Sequence, residues 1–290
     1  MAALTVTVLV DNDHRTKEER ESTPPALSCE WGLSLWLSYA GEDGAQHRLL
    51  LDAGSKGGFA ENASRLGIPL EDAEYLVLSH AHYDHTDGAD AFLAKNQTAK
   101  ICLAKKAMHR RCYSTGQGGA PRYIGIREGL LDACRERLVL TEGITELFPG
   151  VTLVPHSGGD PTRIARRQGL WQMTPEGRLL PDHFDHEQSL VVRTDRGLTI
   201  LSPCSHTGMA AITREVGEAF WGARIHAFVG GLHLFRLDEE ETRREAEVLK
   251  ALPVDIIYTG HCTGEAQTKI LAEVLGAKLH PFGSGSVFTT

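Results

Sequence analysis

The sequence predicts an α/β fold in which short β-strands alternate with helices. Its apolar runs are short, end in a glycine, an acid or a histidine, and are followed by stretches of helical character. The pattern recurs along most of the chain, and histidines cluster where the strands end. Open α/β sheets bind ligands at the carboxyl ends of their strands, so we expect a ligand site at that edge.

The N-terminal part of the chain supplies three strands and a helix. Strands are predicted at residues 4–10, 33–37 and 48–51, where aliphatic residues dominate. A charged loop at residues 13–21 separates the first two strands. The third strand ends in an acid and a glycine, and residues 59–66 then have helical character, which gives the order strand, glycine turn, helix.

Four further strands lead into loops that contain histidine. Each is an apolar run, and a polar or glycine-rich start to a helical stretch follows it. The strands occupy residues 75–79, 198–201, 226–229 and 255–258, and the loops contain His80, His206, His233 and His261 in that order.

Residues 104–185 do not follow this alternation of strands and helical stretches. The range contains a glycine-rich turn, two arginine pairs and few periodic runs, so we predict an insertion that covers the active-site cleft. The alternative is a solvated, loop-rich excursion without a role. Because the sequence shows no repeat, low-complexity tract or linker, residues 1–290 are predicted to form a single domain.

Composition excludes several classes of partner. The chain has 290 residues and a formal net charge of −8, which does not suit binding to nucleic acid or to an anionic membrane. No apolar run approaches the roughly 18 residues that a bilayer span requires. The expected partner is a small-molecule substrate, and a homo-oligomer is compatible with the sequence.

Cysteine usage and the N-terminus indicate a cytoplasmic location. None of the six cysteines forms a CxxC pair, so a reducing compartment is expected. The apolar start of the chain lacks a basic segment, and it is predicted to be a strand and not a signal peptide.

The segment His80-Ala-His82-Tyr-Asp84-His85 places three imidazoles and a carboxylate within six residues. Histidines satisfied by local hydrogen bonds are the alternative, but burying so much polarity without a metal would be costly. Such a loop suits one or two metal ions, and zinc is the expected metal, with iron or manganese as alternatives. Zinc lowers the pKa of a bound water to about 7, which makes a metal-activated hydroxide available.

Several motifs resemble those of the metallo-β-lactamase superfamily. The resemblance extends to the branch of 7,8-dihydropterin-6-methyl-4-(β-D-ribofuranosyl)aminobenzene 5′-phosphate synthase-like proteins. It implies an αββα sandwich, a four-layer α/β (α+β) fold with two mixed sheets face to face, outer helices and a metal site at one edge. The motifs are Leu9-Val-Asp-Asn12, Trp31-Gly-Leu-Ser34, Leu51-Asp-Ala-Gly54, Leu78-Ser-His-Ala-His-Tyr-Asp-His85, Tyr123-Ile-Gly-Ile126, Glu187-Gln-Ser-Leu190, Cys204-Ser-His-Thr-Gly208, Gly230-Gly-Leu-His-Leu234 and Gly260-His-Cys-Thr-Gly264.

The resemblance implies six metal ligands. His80 and His82 match the histidines of the first metal, whereas Asp84, His85 and His261 match ligands of the second. Most of the superfamily has a metal-bridging aspartate at the end of a later strand, and this chain has Cys204-Ser-His206 there instead. His206 would then complete the first set, and the second metal would bind more weakly without the bridge.

Other residues near the motifs have open roles. Cys204 is either a thiolate ligand or a small buried side chain, and His186, like His183, is a further candidate ligand just before a strand. Asp52 is expected to support the metal loop from behind and not to bind the metal. Catalytic roles are predicted for Asp84, which could orient or deprotonate water, and for His233, as a substrate contact or proton donor; the alternative for His233 is a core histidine.

The predicted insertion also offers substrate-binding residues. Arg122 and Tyr123 could hold an anionic substrate, together with the neighbouring Arg110, Arg111 and Arg127. A solvated basic face is the alternative.

Three function hypotheses follow from the motifs. The first is a metal-dependent hydrolase that acts on a small, phosphorylated or ester substrate. The second is a transferase like the namesake of the branch, in which a dihydropterin diphosphate loses pyrophosphate to an acceptor. The third is a metal-dependent sensor or binding protein without turnover.

Overall fold

The computed structural model describes residues 1–12, 27–116, 118–160 and 168–290. The charged loop predicted at residues 13–21 and the arginine pair at 166–167 lie outside the described residues. The strands in chain order are β1 (Ala3–Val10), β2 (Ser34–Ala40), β3 (Gln46–Leu51), β4 (Tyr75–Leu78), β5 (Lys100–Ala104), β6 (Cys112–Ser114), β7 (Arg122–Tyr123), β8 (Leu138–Thr141), β9 (Thr145–Phe148), β10 (Val151–Pro155), β11 (Leu170–Met173), β12 (Leu179–Pro181), β13 (Gln188–Thr194), β14 (Gly197–Leu201), β15 (Ile225–Val229), β16 (Val254–Thr259), β17 (Leu279–Pro281) and β18 (Val287–Thr289). The described helices are α1 (Gly58–Arg65), α2 (Tyr83–Thr86), α3 (Ala89–Lys95), α4 (Leu130–Ala133), α5 (Met209–Ala219), α6 (Glu239–Ala251) and α7 (Glu265–Leu275).

Two mixed sheets dominate the described part of the chain. The first has the order β18-β1-β2-β3-β4-β5-β8, and the second has the order β17-β16-β15-β14-β13-β10-β9. In the first sheet β3, β4, β5 and β8 run parallel, and in the second β14, β15, β16 and β17 do. The remaining neighbours in both sheets pair antiparallel. Each sheet therefore combines a parallel half, which needs crossover connections, with an antiparallel half.

Three clusters of buried apolar residues lie between the four layers of the fold, which are two sheets and two layers of helices. Leu37 and Leu190 belong to one fully buried cluster between the two sheets. On the outer face of the first sheet, Phe92 of α3 packs in a second cluster. On the outer face of the second sheet, Ile212 of α5 and Leu271 of α7 pack in a third. Helices thus cover both outer faces, and the predicted αββα sandwich is confirmed.

The parallel strands determine where the site forms. The carboxyl ends of β3 and β4 lead into Asp52 and the His80 loop, and those of β14, β15 and β16 lead into the other histidine loops. The predicted strands at these positions are confirmed, with bounds that differ by one or two residues. Since parallel neighbours end at the same edge, the five loops meet there.

Only part of the insertion predicted at 104–185 lies outside the two large sheets and forms an extra sheet. Strands β12, β11, β6 and β7 form a separate four-stranded antiparallel sheet. In contrast, β8 lies at the edge of the first large sheet, and β9 and β10 belong to the second. The predicted range therefore included strands of the sandwich, because short strands next to glycine-rich loops showed little periodicity. The covering role of the extra sheet and the single-domain assignment stay predictions.

Within the described ranges, no helix is both long and apolar enough to cross a membrane.

Candidate metal centre

The loop that follows β4 is buried together with its polar side chains. His80 and His85 are inaccessible to solvent, and His82 and Asp84 are 5% and 8% exposed. The helix α2 begins at Tyr83, so the loop turns between His82 and Asp84. This turn directs the two ends of the motif towards different neighbours.

The first group consists of His80, His82 and His206, each of which offers a nitrogen within 4.8 Å of the others. The Nε2 atom of His80 lies 3.2 Å from Nδ1 of His82. Two nitrogens bound to one tetrahedral zinc ion at about 2.05 Å would lie about 3.3 Å apart. Among the described residues, neither ring nitrogen of the buried His206 has a hydrogen-bond partner. Because an orphaned buried nitrogen is costly, this group fits a metal ion.

Burial also sets the protonation of the first group. It lowers the pKa of His80, His82 and His206 well below the usual value, and the neighbouring histidines add to the effect. The three imidazoles are therefore neutral near pH 7, and the neutral form is the one that binds metals.

Asp52 lies behind the loop and orients two of its histidines. Its carboxylate accepts hydrogen bonds from the amide and the hydroxyl of Ser79, both at 2.7 Å, and contacts Nδ1 of His85 at 2.6 Å. The Ser79 hydroxyl in turn lies 2.7 Å from Nδ1 of His80. Both Nδ1 atoms therefore carry the proton, which leaves the lone pairs of both Nε2 atoms for a metal. The positive φ of 59° at Asp52 is a strained conformation typical of functional sites.

The second group consists of Asp84, His85 and His261. Oδ2 of Asp84 lies 3.9 Å from Nε2 of His85 and 3.8 Å from Nε2 of His261. Nδ1 of His261 lies 3.1 Å from the side-chain oxygen of Asn12, which again turns Nε2 towards the site. Burial opposes the charged form of His85, but Asp52 and Asp84 outweigh it and raise its pKa. Burial raises the pKa of Asp84.

Cys204 lies between the two groups. Its Sγ is 3.1 Å from Nε2 of His85, and it could join His80 and His85 in a third ligand set. The thiol of Cys262 lies 3.5 Å from Cys204 and was missed in the sequence analysis, although it directly follows His261. Burial raises the pKa of the Cys204 thiol, so without a metal Cys204 is protonated. Cys204 is thus placed to replace a bridging carboxylate, and its role as a ligand stays a prediction.

His186 contacts the metal loop through the backbone. The amide of Ala81, between His80 and His82, donates to Nδ1 of His186 at 3.2 Å. The proton of His186 must then be on Nε2, which faces Asp182 at 3.4 Å. Burial opposes ionisation of Asp182, but His186, the Phe184 amide and Arg110 together lower its pKa well below the usual range. A metal on Nε2 would require this proton to move to Nδ1, against the Ala81 amide, so the geometry favours a positioning role for His186. His183 is exposed and belongs to none of the described metal-binding groups.

Glu187 holds the second histidine loop. Its buried carboxylate accepts the backbone amides of His206 and Thr207, both at 2.8 Å. The neighbouring Gln188 side chain donates to the carbonyl of Leu78 at the end of β4. The motif Glu187-Gln-Ser-Leu190 was noted in the sequence without a role, and it joins the loops of the two sheets.

A cavity of about 240 Å³ opens onto both groups. His233 lines it, half-buried, with its ring centroid 4.4 Å from that of His206. Burial and Arg236 lower the pKa of His233 to about 3, so it is a neutral imidazole near pH 7. It could accept a proton or contact a substrate, but a proton donor must first be charged. The other lining residues that bear charge or rings are Trp31, Tyr83, Arg122, Phe235 and Arg236.

The arginines that were predicted to bind the substrate lie in different environments in the structure. Arg122 lines the cavity, with its guanidinium carbon 5.6 Å from the centre of the Tyr83 ring. Tyr123 is not among the described lining residues, and its hydroxyl donates to the carbonyl of Ile126. Arg110 pairs with Asp185, and Arg127 pairs with Asp90. Pairing with local acids therefore explains these two arginines without a substrate.

Loss of the Asp52 carboxylate should weaken metal binding although Asp52 is not placed as a ligand. In Asp52→Ala, His85 loses its direct partner and His80 loses the carboxylate that orients the Ser79 hydroxyl, so metal affinity is expected to fall about 10- to 100-fold. Competition with a chromogenic chelator measures this affinity. Glu74→Ala is the matched control, because Glu74 contacts a surface histidine, His47, at 3.0 Å. Equal affinities of both variants would contradict the orienting role.

Comparisons with known proteins identify the families that this chain resembles. A family model described as the metallo-beta-lactamase superfamily matches residues 39–169. A 7,8-dihydropterin-6-methyl-4-(beta-D-ribofuranosyl)-aminobenzene-5′-phosphate synthase from Methanocaldococcus jannaschii is 28% identical over 246 residues, covering 80% of this chain and 81% of that protein. The crystal structure of Tm1679, described as a metal-dependent hydrolase of the beta-lactamase superfamily, is 26% identical, covers 98% of both chains and has a TM-score of 0.76.

A more distant structure supports the fold alone. A diphosphatase from the PhnP family is 14% identical, with coverage of 100% of this chain and 98% of that one and a TM-score of 0.52. The αββα layers, the edge at which the histidine loops meet and these similarities lead to one assignment. This chain is an enzyme with the metallo-β-lactamase fold, and it resembles the dihydropterin synthase-like branch of the metallo-β-lactamase superfamily.

Proposed function

We propose that the protein is a zinc-type metallohydrolase that acts on a small, phosphorylated or ester substrate. One observation carries the proposal: the two buried ligand groups face a cavity that also contains Arg122 and Arg236. A metal site beside fixed positive charge suits an electrophile that bears negative charge. The assignment as an enzyme leaves the non-catalytic sensor hypothesis without support.

The residues present fit two divalent ions. His80, His82 and His206 would hold the first, and Asp84, His85 and His261 the second, with Cys204 between them. A thiolate at Cys204 would favour zinc, whereas a site of histidine and carboxylate alone would also suit iron or manganese. Metals so held would activate a water molecule near neutral pH and polarise a phosphoryl or carbonyl oxygen of the substrate.

The other residues would bind the substrate and handle protons. Asp84 would accept a proton at the carboxylate oxygen that does not bind the metal, since burial already raises its pKa. Arg122 would offset the negative charge of the substrate from the cavity wall. His233 would contact the reacting group from the rim as a neutral imidazole.

The alternative function is transfer from a dihydropterin diphosphate to an acceptor, with release of pyrophosphate. The similarity to the M. jannaschii synthase favours it, because that similarity covers 80% of the chain. A transferase must exclude water until the acceptor binds, so it should not turn over a single substrate. A hydrolase should turn over a single substrate without an acceptor.

We also propose that the enzyme is cytoplasmic and that its substrate is a small molecule. The six cysteines are free thiols in the structure, which supports a reducing compartment. We propose neither a nucleic-acid nor a membrane partner, and a homo-oligomer remains compatible with the proposal.

Substrate panels separate hydrolase from transferase. Metal-loaded protein should hydrolyse at least one phosphodiester, phosphomonoester, lactone or thioester without a second substrate, with turnover followed by product absorbance. Arg122→Ala should mainly raise KM, and His233→Ala should lower kcat more than it alters KM. Arg127→Ala is the control, because Arg127 is paired with Asp90. The hydrolase proposal fails if no single substrate turns over while a pterin diphosphate and an arylamine together release pyrophosphate.

A further inference from the structure

The histidines of the candidate metal centre differ in what fixes the orientation of their rings. Nδ1 of His80, His85 and His261 contacts a side-chain oxygen at 2.7, 2.6 and 3.1 Å, respectively. In contrast, Nε2 of His82 and both ring nitrogens of His206 are buried without a hydrogen-bond partner among the described residues. A metal-binding histidine usually donates its other ring N–H to a carboxylate, a carbonyl or water. The outer sides of these two rings are therefore held by packing.

Both of these rings pack against Phe184. The Phe184 ring is stacked on the His206 ring, with a centroid distance of 4.1 Å and an interplanar angle of 16°. It also meets the His82 ring edge to face, at 5.7 Å and 88°. Stacked and edge-to-face arrangements are both favoured for aromatic pairs. One phenyl ring thus contacts the two histidines of the first group that lack an outer hydrogen bond.

Backbone hydrogen bonds fix the position of Phe184. Its amide donates to Oδ1 of Asp182 at 3.0 Å, and its carbonyl accepts the amide of Glu187 at 3.1 Å. The Glu187 carboxylate in turn accepts the amide of His206 at 2.8 Å. Glu187 therefore joins the backbones of the two stacked residues, which sets the spacing between their rings.

Phe184 itself is strained and buried. Its φ of 56° lies in the left-handed region, which is unfavourable for a bulky side chain. Such residues persist only where the surrounding structure fixes them, and they cluster at functional sites. The side chain is inaccessible to solvent and is not among the described lining residues of the cavity at the metal centre. It is thus placed to contact the ligands and not a substrate.

We propose that Phe184 is a positioning residue for the metal centre, whose ring holds the imidazoles of His82 and His206 in the orientation in which they bind the first ion. Aromatic packing takes the place of the hydrogen bonds that orient the other histidines. The inference deepens the proposed function and rests on it only for the ligand roles of His82 and His206.

The test titrates metal-free protein with cobalt(II) and follows the d–d absorption of the bound ion, which reports its coordination geometry. Phe184→Leu removes the ring and keeps an apolar side chain. It should weaken one step of cobalt binding about tenfold, as expected for loss of an orienting partner, and should alter the d–d spectrum. Phe184→Met, whose flexible side chain fills irregular space, should have the same effects and decides the question if Phe184→Leu does not fold.

Phe92→Leu is the matched control. Phe92 is equally inaccessible and belongs to the same apolar cluster, but within the described ranges its ring contacts no histidine. Both Phe→Leu substitutions remove a phenyl ring from the core, so both should lower the urea midpoint of the metal-free protein. A purely structural role for Phe184 would have no further effect, whereas an orienting role also changes the cobalt spectrum of the folded protein.

The outcomes separate this inference from the proposed function. Weaker cobalt binding and an altered spectrum in the Phe184 variants, but not in Phe92→Leu, support the positioning role even if no substrate of the panel turns over. If the folded Phe184 variants bind cobalt with the affinity and spectrum of the wild type, the ring only fills the core and the inference is overturned, whether or not the protein hydrolyses a substrate. Absence of cobalt binding by the wild type would overturn it together with the ligand assignment.

Discussion

Replacement of His82 or His261 by alanine is expected to remove bound metal and to lower kcat/KM by at least about 1000-fold, since metal activation supplies several kcal/mol to the reaction. The two residues belong to different ligand groups, one on the loop after β4 and the other after β16. If the groups act as one centre, either replacement alone should abolish turnover.

Elemental analysis and steady-state kinetics on the same preparations measure the effect. His280→Ala is the control, because His280 is exposed and belongs to none of the described ligand groups. Retention of wild-type metal content by both His82→Ala and His261→Ala would refute the ligand assignment. Loss of one equivalent in each variant would show two separate ions.

The metal-free protein is expected to lose stability steeply as the pH falls below about 6.5, the ordinary pKa of histidine. Burial, with repulsion among the neighbouring histidines, lowers the pKa of His80, His82 and His206 in the folded state. Below about pH 6.5 the unfolded chain binds protons that the folded chain does not, so acid favours unfolding. Three such groups give a slope of up to about 4 kcal/mol per pH unit.

His85 does not cancel this slope. Its pKa is raised in the folded state, so its contribution to stability is fully present below the unfolded pKa and is lost as the pH rises through the folded one. In the acid range it is protonated in both states, and its contribution no longer changes with pH.

Urea unfolding of chelator-treated protein at about pH 7 and about pH 5.5 measures the slope. His206→Gln removes one of the three histidines and should reduce the slope by about a third. Metal-loaded protein should resist acid until protons displace the metal, because metal binding and protonation compete for the same nitrogens. An equal free energy of unfolding at both pH values in the metal-free protein would contradict the neutral, buried state of these imidazoles.

Local spacing in the sequence was sufficient to predict the strands and the loops that follow them. Short apolar runs predicted β4 and β16, and the polar residues after each predicted a site at the carboxyl edge of a sheet. The spacing within His80-Ala-His82-Tyr-Asp84-His85 also predicted a metal loop, because all four polar side chains lie on one turn. These features depend on neighbours in the chain, and a sequence displays them directly.

Contacts between distant segments could not be predicted in this way. Cys204 and Cys262 are 58 residues apart in the chain, and the contact between the Ala81 amide and His186 spans 105 residues. Register between strands and the packing of two sheets decide such contacts, and a single sequence contains no local signal for either.

Contacts between distant segments also decide the environments of the arginines and the extent of the insertion, so the sequence could not predict either. The sequence alone does not distinguish the roles of Arg110 and Arg122. The fold places an acid beside Arg110 and places Arg122 in the wall of the cavity. Strand β8 pairs in parallel with β5, with partners 37 residues earlier in the chain, and this pairing includes it in the sandwich. The sequence by itself determined the elements and the candidate ligand types, whereas the tertiary structure decided which side chains face the candidate metal centre, because orientation depends on long-range pairing.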